Sequence, residues 1–269
     1  LANQLHVDVI HSSDHEYTTL PNEEKFENYF LSSWCAGAFT IEYGQRGCVS
    51  IGTHDQEALS QEDYIRNDTF EVPFVRPPFP TFLKTASPFG PFTGRVTMHE
   101  ENVEIGRLFS TPDHHVTNAF VYRPSDYMIE CFKKKDWEKM PTIVYTELNA
   151  HPLQGRELVG ATLISSREDI PIRWYGSVLD CDQCRALGCT SNPTTLQVTA
   201  GFISHLKYAL DHPQMGFCNP GHFPSEKIME YAAPYLGTVF DDNLDFRLPI
   251  HWKDLLSTEE HYLGDKLPK

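Results

Sequence analysis

The sequence predicts an α+β fold, with a mixed, largely antiparallel sheet and helices packed on it. Short segments alternate apolar and polar residues, as strands do, whereas one longer segment repeats apolar residues every four positions, as a helix does. These elements do not follow one another in regular β-α-β order, which argues against a doubly wound parallel sheet. The chain has 269 residues, of which 40% are hydrophobic, so residues 1–269 can form one large domain around a real core.

Four segments have the composition and alternation of strands. They are His6–His11, Arg95–Met98, Glu157–Ile164 and Ile172–Tyr175. The first is followed by the polar run Ser12–Glu16, which we expect to be a turn.

Five segments have helical character, namely Glu23–Leu31, Tyr127–Trp137, Asp180–Leu187, Val198–Leu210 and Glu226–Ala233. Asp180 and Ser225 stand where N-cap residues are preferred. One apolar stripe on the fourth helix is formed by Val198, Phe202, Leu206 and Leu210. By contrast, six prolines between Val72 and Phe92 predict an irregular connection or sheet edge there.

The formal net charge of −15 limits the partners of the chain. Nucleic acids and anionic lipids need basic patches, so neither they nor a membrane is an expected partner. A charged ligand is expected to be a cation. Seven cysteines, an odd number with irregular spacing, and the lack of a secretory signal predict a reducing, cytoplasmic location. The chain begins with Leu1 rather than Met, so we expect it to be a piece of a longer protein.

Nucleotide-binding motifs are missing from the sequence. None of the 16 glycines is followed two residues later by another, and no glycine directly precedes a lysine. The dinucleotide fingerprint and the P-loop both need such glycines around a phosphate. We therefore expect no complete Rossmann unit in this chain.

A zinc site is the first chemical hypothesis. Cys181 and Cys184 are three residues apart and Cys189 follows, but structural zinc usually takes four ligands. Pairing them with His99 and Glu101 would resemble a zinc deaminase. Because Asp180 replaces the expected proline and about 80 residues separate the two halves, the favoured interpretation is an ordinary helix without metal.

Carboxylates close to aromatic residues form the second hypothesis. Trp34 precedes Glu42 by eight residues, Asp14 follows the first strand, and His99 stands two residues before Glu101. An ammonium ligand is attracted both by carboxylates and by an aromatic face. For any one cluster alone, the more ordinary interpretation is a solvated loop or a buried, hydrogen-bonded histidine.

The residues resemble those of bacterial homospermidine synthase, a family related to saccharopine dehydrogenase-like proteins. The resemblance is strongest between Trp174 and Phe246, and its motifs there are Trp174-Tyr175-Gly176-Ser177, Asn192, Leu196-Gln197-Val198-Thr199, Pro234-Tyr235-Leu236-Gly237 and Asp245. Upstream it includes Trp34 to Glu42, Gly52-Thr53-His54, Thr97 to Glu101 and Val9 to Asp14. Asp14 stands in place of the family's glutamate, and Cys35-Ala36 in place of Ser-Val.

The resemblance implies an NAD-dependent transferase of polyamine biosynthesis, acting on putrescine or related amines. A hydride leaves putrescine, a second amine displaces ammonia from the imine, and the returning hydride gives homospermidine. It also implies a cytoplasmic homodimer, with this chain as the catalytic and dimerisation domain and with NAD held mainly by an N-terminal Rossmann domain that this chain lacks. The implied catalytic residues are Glu42, His99 and Glu101, and the implied substrate-binding residues are Trp34, Asp14 and Asp245.

Three alternatives remain open from the sequence. A related dehydrogenase that makes carboxylated polyamines or handles saccharopine would need a cation for the substrate carboxylate, for which Arg95, Arg123 and Arg173 are available. A diamine-binding module without catalysis would not depend on Glu42. A zinc-dependent deaminase or hydrolase would contain bound zinc.

Overall fold

The computed structural model of the protein describes residues 6–20, 28–32, 34–56, 64–65, 73–77, 80–134, 139–140, 142–144, 153–189 and 191–257. Within these ranges the strands are β1 (Val9–Thr19), β2 (Phe30–Ser32), β3 (Val49–Ser50), β4 (Tyr64–Ile65), β5 (Phe74–Val75), β6 (Phe82–Ser87), β7 (Gly90–Thr97), β8 (Thr117–Arg123), β9 (Thr142–Val144), β10 (Gln154–Ile164), β11 (Ile172–Asp180), β12 (Thr238–Leu244) and β13 (Leu256–Ser257). The α-helices are α1 (Ala36–Gly44), α2 (Glu101–Leu108), α3 (Asp126–Lys133), α4 (Cys181–Ala186), α5 (Pro193–Asp211), α6 (Ser225–Ala232) and α7 (Trp252–Leu255).

Eleven of these strands form one mixed sheet. Its main path runs β12-β11-β10-β1-β8-β3-β5-β4, and the β6–β7 hairpin joins it through β8. The β1–β8 pairing is parallel, whereas the other described pairings within this sheet are antiparallel. Strands β2 and β9 pair separately. The α+β class and the largely antiparallel sheet predicted from the sequence are confirmed.

Strand β1 lies in the middle of this sheet, between β8 and β10. The turn predicted at Ser12–Glu16 is wrong, because β1 continues through that polar run to Thr19. Pairing on both sides satisfies the backbone, and neighbouring strands shelter the polar side chains, so burial overrides local composition. One polar face of β1 consequently enters the interior.

Local sequence predicts some of the helix termini correctly. Asp180 caps α4 by accepting a hydrogen bond from the Gln183 backbone N–H (2.7 Å), as predicted. Helix α5 covers the predicted Val198–Leu210 segment and ends at Asp211. Ser225 is not an N-cap: it is the first residue of α6, after Pro224, and makes no capping hydrogen bond.

Several predicted elements have different bounds. Strands β10 and β11 are longer than predicted, and the Tyr127–Trp137 helix is α3. In the predicted Glu23–Leu31 helix, residues 23–27 lie outside the described residues and Phe30–Ser32 form β2. The proline-rich stretch contains no described helix, but part of it forms the β6–β7 hairpin, which the prolines concealed.

The apolar stripe of α5 faces away from the sheet. The helix buries Gln197, Ala200, Ser204 and Tyr208, whereas Val198, Phe202, Leu206 and Leu210 are exposed by 62%, 65%, 43% and 72%. None of the helices in the described ranges is long and apolar enough to cross a bilayer.

Candidate active site

A cavity of about 660 Å³ opens between the sheet, α1, α2 and the N-terminal end of α5. Its lining residues are Asp14, Trp34, Cys35, Glu42, His99, Glu101, Phe120, Tyr122, Val159, Ser191, Thr194, Thr195, Val198 and Thr199. This volume is in the range typical of small-molecule sites. Five of the six residues predicted for the site therefore lie around one space, although they are distant in sequence.

The strands and helices explain why these residues lie around one cavity. Asp14 lies directly between Tyr122 on β8 and Val159 on β10 in the strand register. His99 follows the end of β7, and Glu101 is the first residue of α2. Because β7 pairs with β8, the end of β7 brings His99 onto Phe120, with ring centroids 4.3 Å apart and planes nearly parallel.

The cavity is acidic. Its described lining includes the carboxyl groups of Asp14, Glu42 and Glu101 but no lysine or arginine. His99 Nδ1 forms a short hydrogen bond with Glu101 and lies 3.8 Å from a Glu100 carboxylate oxygen. Burial opposes charge on His99, but its hydrogen bond with Glu101 and the nearby carboxylates raise its pKa. A cationic ligand therefore suits this cavity better than an anionic one.

Two carboxyl groups in the lining have raised pKa values. Burial is the main cause for Asp14, and the negative charge of Glu16 adds to it. Burial also raises the pKa of Glu42, with further contributions from Glu100 and Glu101. A carboxyl group with a raised pKa can exchange protons nearer neutral pH than an exposed one.

The side chain of Trp34 is fixed at the cavity wall. Its indole Nε1 donates to the Tyr122 hydroxyl at 2.9 Å, and its ring meets Phe39 and Tyr122 edge to face at centroid distances of 6.4 and 6.3 Å. The indole is partly exposed to the cavity. It can therefore offer an aromatic face to a bound cation.

Beneath the cavity lies a polar layer that sequence reasoning missed. Tyr122 donates from its hydroxyl to Glu16 at 2.6 Å, and Glu16 pairs directly with Glu157 across β1 and β10. Glu157 accepts from the Thr194 backbone N–H at 2.5 Å. Thr194 also donates from its hydroxyl to Asp14 at 3.3 Å. The only sequence signal was the i, i+2 spacing of Asp14 and Glu16, which puts both on one face of a strand.

Asp245 is not among the residues that line the cavity. It is exposed just after the end of β12, which is an edge strand of the described sheet. Its substrate-binding role stays a prediction.

The three cysteines considered for zinc are not grouped with further ligands in the described ranges. The one group there that could hold a metal ion is His99, Glu100 and Glu101, without Cys181, Cys184 or Cys189. Burial raises the pKa of Cys181, and it raises that of Cys184 to about 12. The predicted helix is present as α4, and the lack of a metal there stays a prediction.

The three arginines considered for a substrate carboxylate are all elsewhere in the described structure. Arg95 is buried, with its guanidinium 4.3 Å from the Tyr43 ring centroid. Arg123 donates to Asp126 at 2.6 Å, and Arg173 forms an exposed ion pair with Asp241. None of the three lines the cavity, so the geometry does not favour a carboxylated amine as the ligand.

No family model matches the chain. A homospermidine synthase of Mesorhizobium japonicum is 23% identical over 240 residues, covering 86% of this chain and 49% of the relative. A homospermidine synthase of Blastochloris viridis is 24% identical over 160 residues, covering 54% of this chain and 32% of the relative.

The crystal structure of homospermidine synthase from Legionella pneumophila in complex with NAD superposes with a TM-score of 0.82, at 22% identity, covering 96% of this chain and 61% of that one. The chain is similar to homospermidine synthases in sequence and in fold. This confirms the resemblance predicted from the sequence. The chain spans about half the length of the first of these curated relatives.

Proposed function

We propose that this chain is the catalytic and dimerisation domain of a homospermidine synthase-like transferase. It would transfer an aminobutyl group between two putrescine molecules and leave NAD unchanged at the end. The observation that carries the proposal is the cavity that Asp14, Glu42, His99 and Glu101 line together with Trp34. The curated relatives named homospermidine synthase support it.

A diamine fits the charge pattern of the cavity. Each of its ammonium groups would form charge-assisted hydrogen bonds with carboxylates, and the methylene chain between them would pack on Trp34 and Phe120. Asp14 would bind one ammonium group, while Glu42 and Glu101 would be available to the other. Trp34 would stabilise positive charge on the reacting carbon and nitrogen by its aromatic face.

Proton movement is the chemical task of Glu42, His99 and Glu101. Loss of hydride from carbon requires a neutral amine with a free lone pair, so a base must take a proton from the ammonium group. Glu42 would be that base, because its raised pKa brings its affinity for a proton closer to that of the amine. His99, held by Glu101, would orient the amine and return a proton to the departing ammonia.

The described residues do not provide a complete site for NAD. The cavity lining carries carboxyl groups and no lysine or arginine, so it does not fit the diphosphate of the cofactor. The whole sequence also lacks the paired glycines of a dinucleotide-binding loop. NAD would accept and return the hydride, and we propose that a domain outside this chain holds it.

The test has two parts. Calorimetry would measure binding of putrescine to the chain, and mass spectrometry would look for homospermidine when the open reading frame encoding it is expressed and incubated with putrescine and catalytic NAD. Homospermidine without net NADH supports the proposal. Binding without product would instead indicate a diamine-binding module, and failure to bind any diamine would refute both.

We further propose a cytoplasmic homodimer that buries the exposed stripe of α5. Four large apolar side chains there face solvent, which is unusual for a surface with no partner. The only charged residues of α5 are Lys207 and Asp211, and they neutralise each other in an ion pair of 3.2 Å. A second copy could therefore approach this helix without the repulsion expected from the overall charge.

All seven cysteines are free thiols, which supports a reducing compartment.

A further inference from the structure

A continuous chain of hydrogen bonds connects the wall of the cavity to a buried carboxyl group. The Trp34 indole N–H donates to the Tyr122 hydroxyl at 2.9 Å, and that hydroxyl donates to Glu16 Oε1 at 2.6 Å. The other oxygen, Oε2, accepts from the Ser125 hydroxyl at 2.7 Å. Each oxygen of Glu16 therefore accepts one hydrogen bond from a neighbouring hydroxyl group.

The two ends of this series of hydrogen bonds differ in how rigidly the fold positions them. Glu16 and Tyr122 lie on β1 and β8 in the middle of the sheet, and their exposed fractions are 1% and 2%. Trp34 lies on the connection between β2 and α1 and is partly exposed. The hydrogen bond from Trp34 to Tyr122 therefore transfers the rigidity of the sheet to a side chain on a connecting segment.

The carboxylate at the end of the chain has an electronic effect as well. A carboxylate that accepts from a phenol makes the phenol oxygen a stronger acceptor, and hydrogen bonds in such a series strengthen one another. The indole N–H is polarised in turn, which leaves more electron density on the ring. A more electron-rich indole attracts a cation more strongly.

We propose that Glu16 is a positioning residue, which acts through Tyr122 to orient and polarise the Trp34 indole for a bound diamine. Glu16 does not line the cavity, so it would act without touching the ligand. The identity of the ligand rests on the proposed function, whereas the control of Trp34 by Glu16 and Tyr122 does not.

Fluorine NMR can observe the indole directly. The chain contains four tryptophans, so labelling with 5-fluorotryptophan gives four signals, and Trp34→Phe identifies the one that belongs to Trp34. We expect Tyr122→Phe to shift the Trp34 signal and leave the other three in place. Glu16→Gln keeps an oxygen that can accept from the phenol, so it should shift the same signal by a smaller amount. Tyr175→Phe, which removes a hydroxyl from an exposed residue of β11, is the matched control. It should leave the Trp34 signal at its wild-type position.

Titration with putrescine completes the test. The wild-type Trp34 signal should move on binding. Tyr122→Phe should bind up to about tenfold more weakly, which is the upper size of a cation–π contribution, and Glu16→Gln should lose a smaller factor. An unchanged Trp34 signal in Tyr122→Phe overturns the proposal, and so does unchanged affinity in both variants. If Tyr122→Phe fails to fold, the same two criteria apply to Glu16→Gln.

The two proposals fail differently. If putrescine moves no signal in the wild type while Tyr122→Phe still shifts Trp34, the diamine assignment is wrong and the control of Trp34 by Tyr122 stands. If putrescine moves the Trp34 signal identically in the wild type and both variants, the diamine assignment stands and the positioning role of Glu16 is wrong.

Discussion

Glu16 and Glu157 lie directly opposite each other on β1 and β10, with exposed fractions of only 1% and 0%. Like charges in such a cross-strand pair destabilise a sheet, and burial makes the repulsion stronger. Each side chain has its own donors. Tyr122 and Ser125 donate to Glu16, while Thr194 and Asn192 donate to Glu157. The pair therefore persists because each carboxyl group is separately hydrogen-bonded.

The stability of the protein should fall as pH rises because of Glu157. Burial and the charge of Glu16 raise its pKa in the folded state. The folded protein then holds a proton that the unfolded chain loses above its ordinary pKa of about 4.3, so stability declines between the unfolded and folded pKa values. Glu157→Gln should flatten this decline in melting temperature measured against pH. Glu168→Gln, at an exposed site, should melt with the wild-type pH dependence, and a wild-type slope in Glu157→Gln would contradict the assignment.

Binding of putrescine should release a proton from Asp14. Burial and Glu16 raise the pKa of Asp14, and an arriving ammonium group would lower it again. Affinity should therefore increase with pH, by up to about tenfold per pH unit. Calorimetry in buffers of different ionisation enthalpy measures the released proton. Asp14→Asn should reduce the buffer dependence, and a heat independent of buffer in the wild type would exclude the coupling.

Glu42→Gln should separate catalysis from stability. Loss of a general base typically slows a reaction by about 10² to 10⁴-fold, and we expect a loss of this size in homospermidine formation. Glu42 is only partly buried, so the free energy of unfolding should change by less than about 1 kcal/mol. Product formation and a melting curve measured on one preparation give both quantities. Near-normal turnover in Glu42→Gln would show that Glu42 is not the base.

Asp55 should stabilise the packing of α7 against the sheet in a limited pH range. It accepts from His251 Nδ1 at 2.9 Å and from the Trp252 backbone N–H at 3.1 Å, and it lies 3.2 Å from His54. Although burial alone would raise the pKa of Asp55, the hydrogen bonds from His54 and His251 lower it. Burial likewise opposes charge on His54, but Asp55 outweighs this and raises the His54 pKa.

The two shifts define that range. Asp55 contributes to the free energy of unfolding above its unfolded pKa of about 3.9, and this contribution is lost as pH falls through its folded pKa. His54 contributes below its unfolded pKa of about 6.5, and its contribution is lost as pH rises through its folded pKa. Asp55→Asn should therefore destabilise the protein most between about pH 4 and 6.5, by about 2 kcal/mol. Denaturant unfolding across this range is the measurement, and an effect that is constant with pH would contradict the ion-pair explanation.

Phe202→Ser should convert the proposed dimer to monomer. Phe202 is 65% exposed at the centre of the α5 stripe, so the substitution removes interface area but little packing within one chain. Light scattering after size-exclusion chromatography reports the mass. Leu187→Ser, which truncates an apolar side chain that is 47% exposed outside α5, is the control and should stay dimeric. A wild-type chain that is monomeric at micromolar concentration would remove the basis for the dimer.

The sequence predicted those parts of the fold that depend on neighbouring residues. Asp180 caps α4 because its side chain reaches three residues along, and the β10 and β11 strands follow from their alternation. The β1 strand was cut short at Ser12, because the partners that shelter its polar face come from β8 and β10. The direction of the α5 stripe was likewise not determined by its spacing, since periodicity shows that a helix has an apolar face but not what covers it.

The candidate site likewise contains residues that the sequence predicted and residues that it did not. Trp34, Glu42, His99 and Glu101 were found from local patterns and a family resemblance, and the structure brings them together with Asp14. Tyr122, Phe120 and Thr194 had no local signal, because they reach the cavity only through the order of strands in the sheet and the position of α5. Their roles became visible from the hydrogen bonds that they make.

The position of β1 has a consequence for the order in which the protein folds. Its hydrogen-bonded partners lie far along the chain: Glu16 bonds to Tyr122, 106 residues later, and Asp14 to Thr194, 180 residues later. During synthesis β1 remains unpaired until β8 and then β10 have left the ribosome. Contacts between residues so far apart in sequence form slowly. A purely apolar strand would be prone to aggregate in that interval. We infer that the acidic face that later lies beneath the cavity keeps the unpaired strand hydrated, so that the same side chains would protect the nascent chain and afterwards support the site.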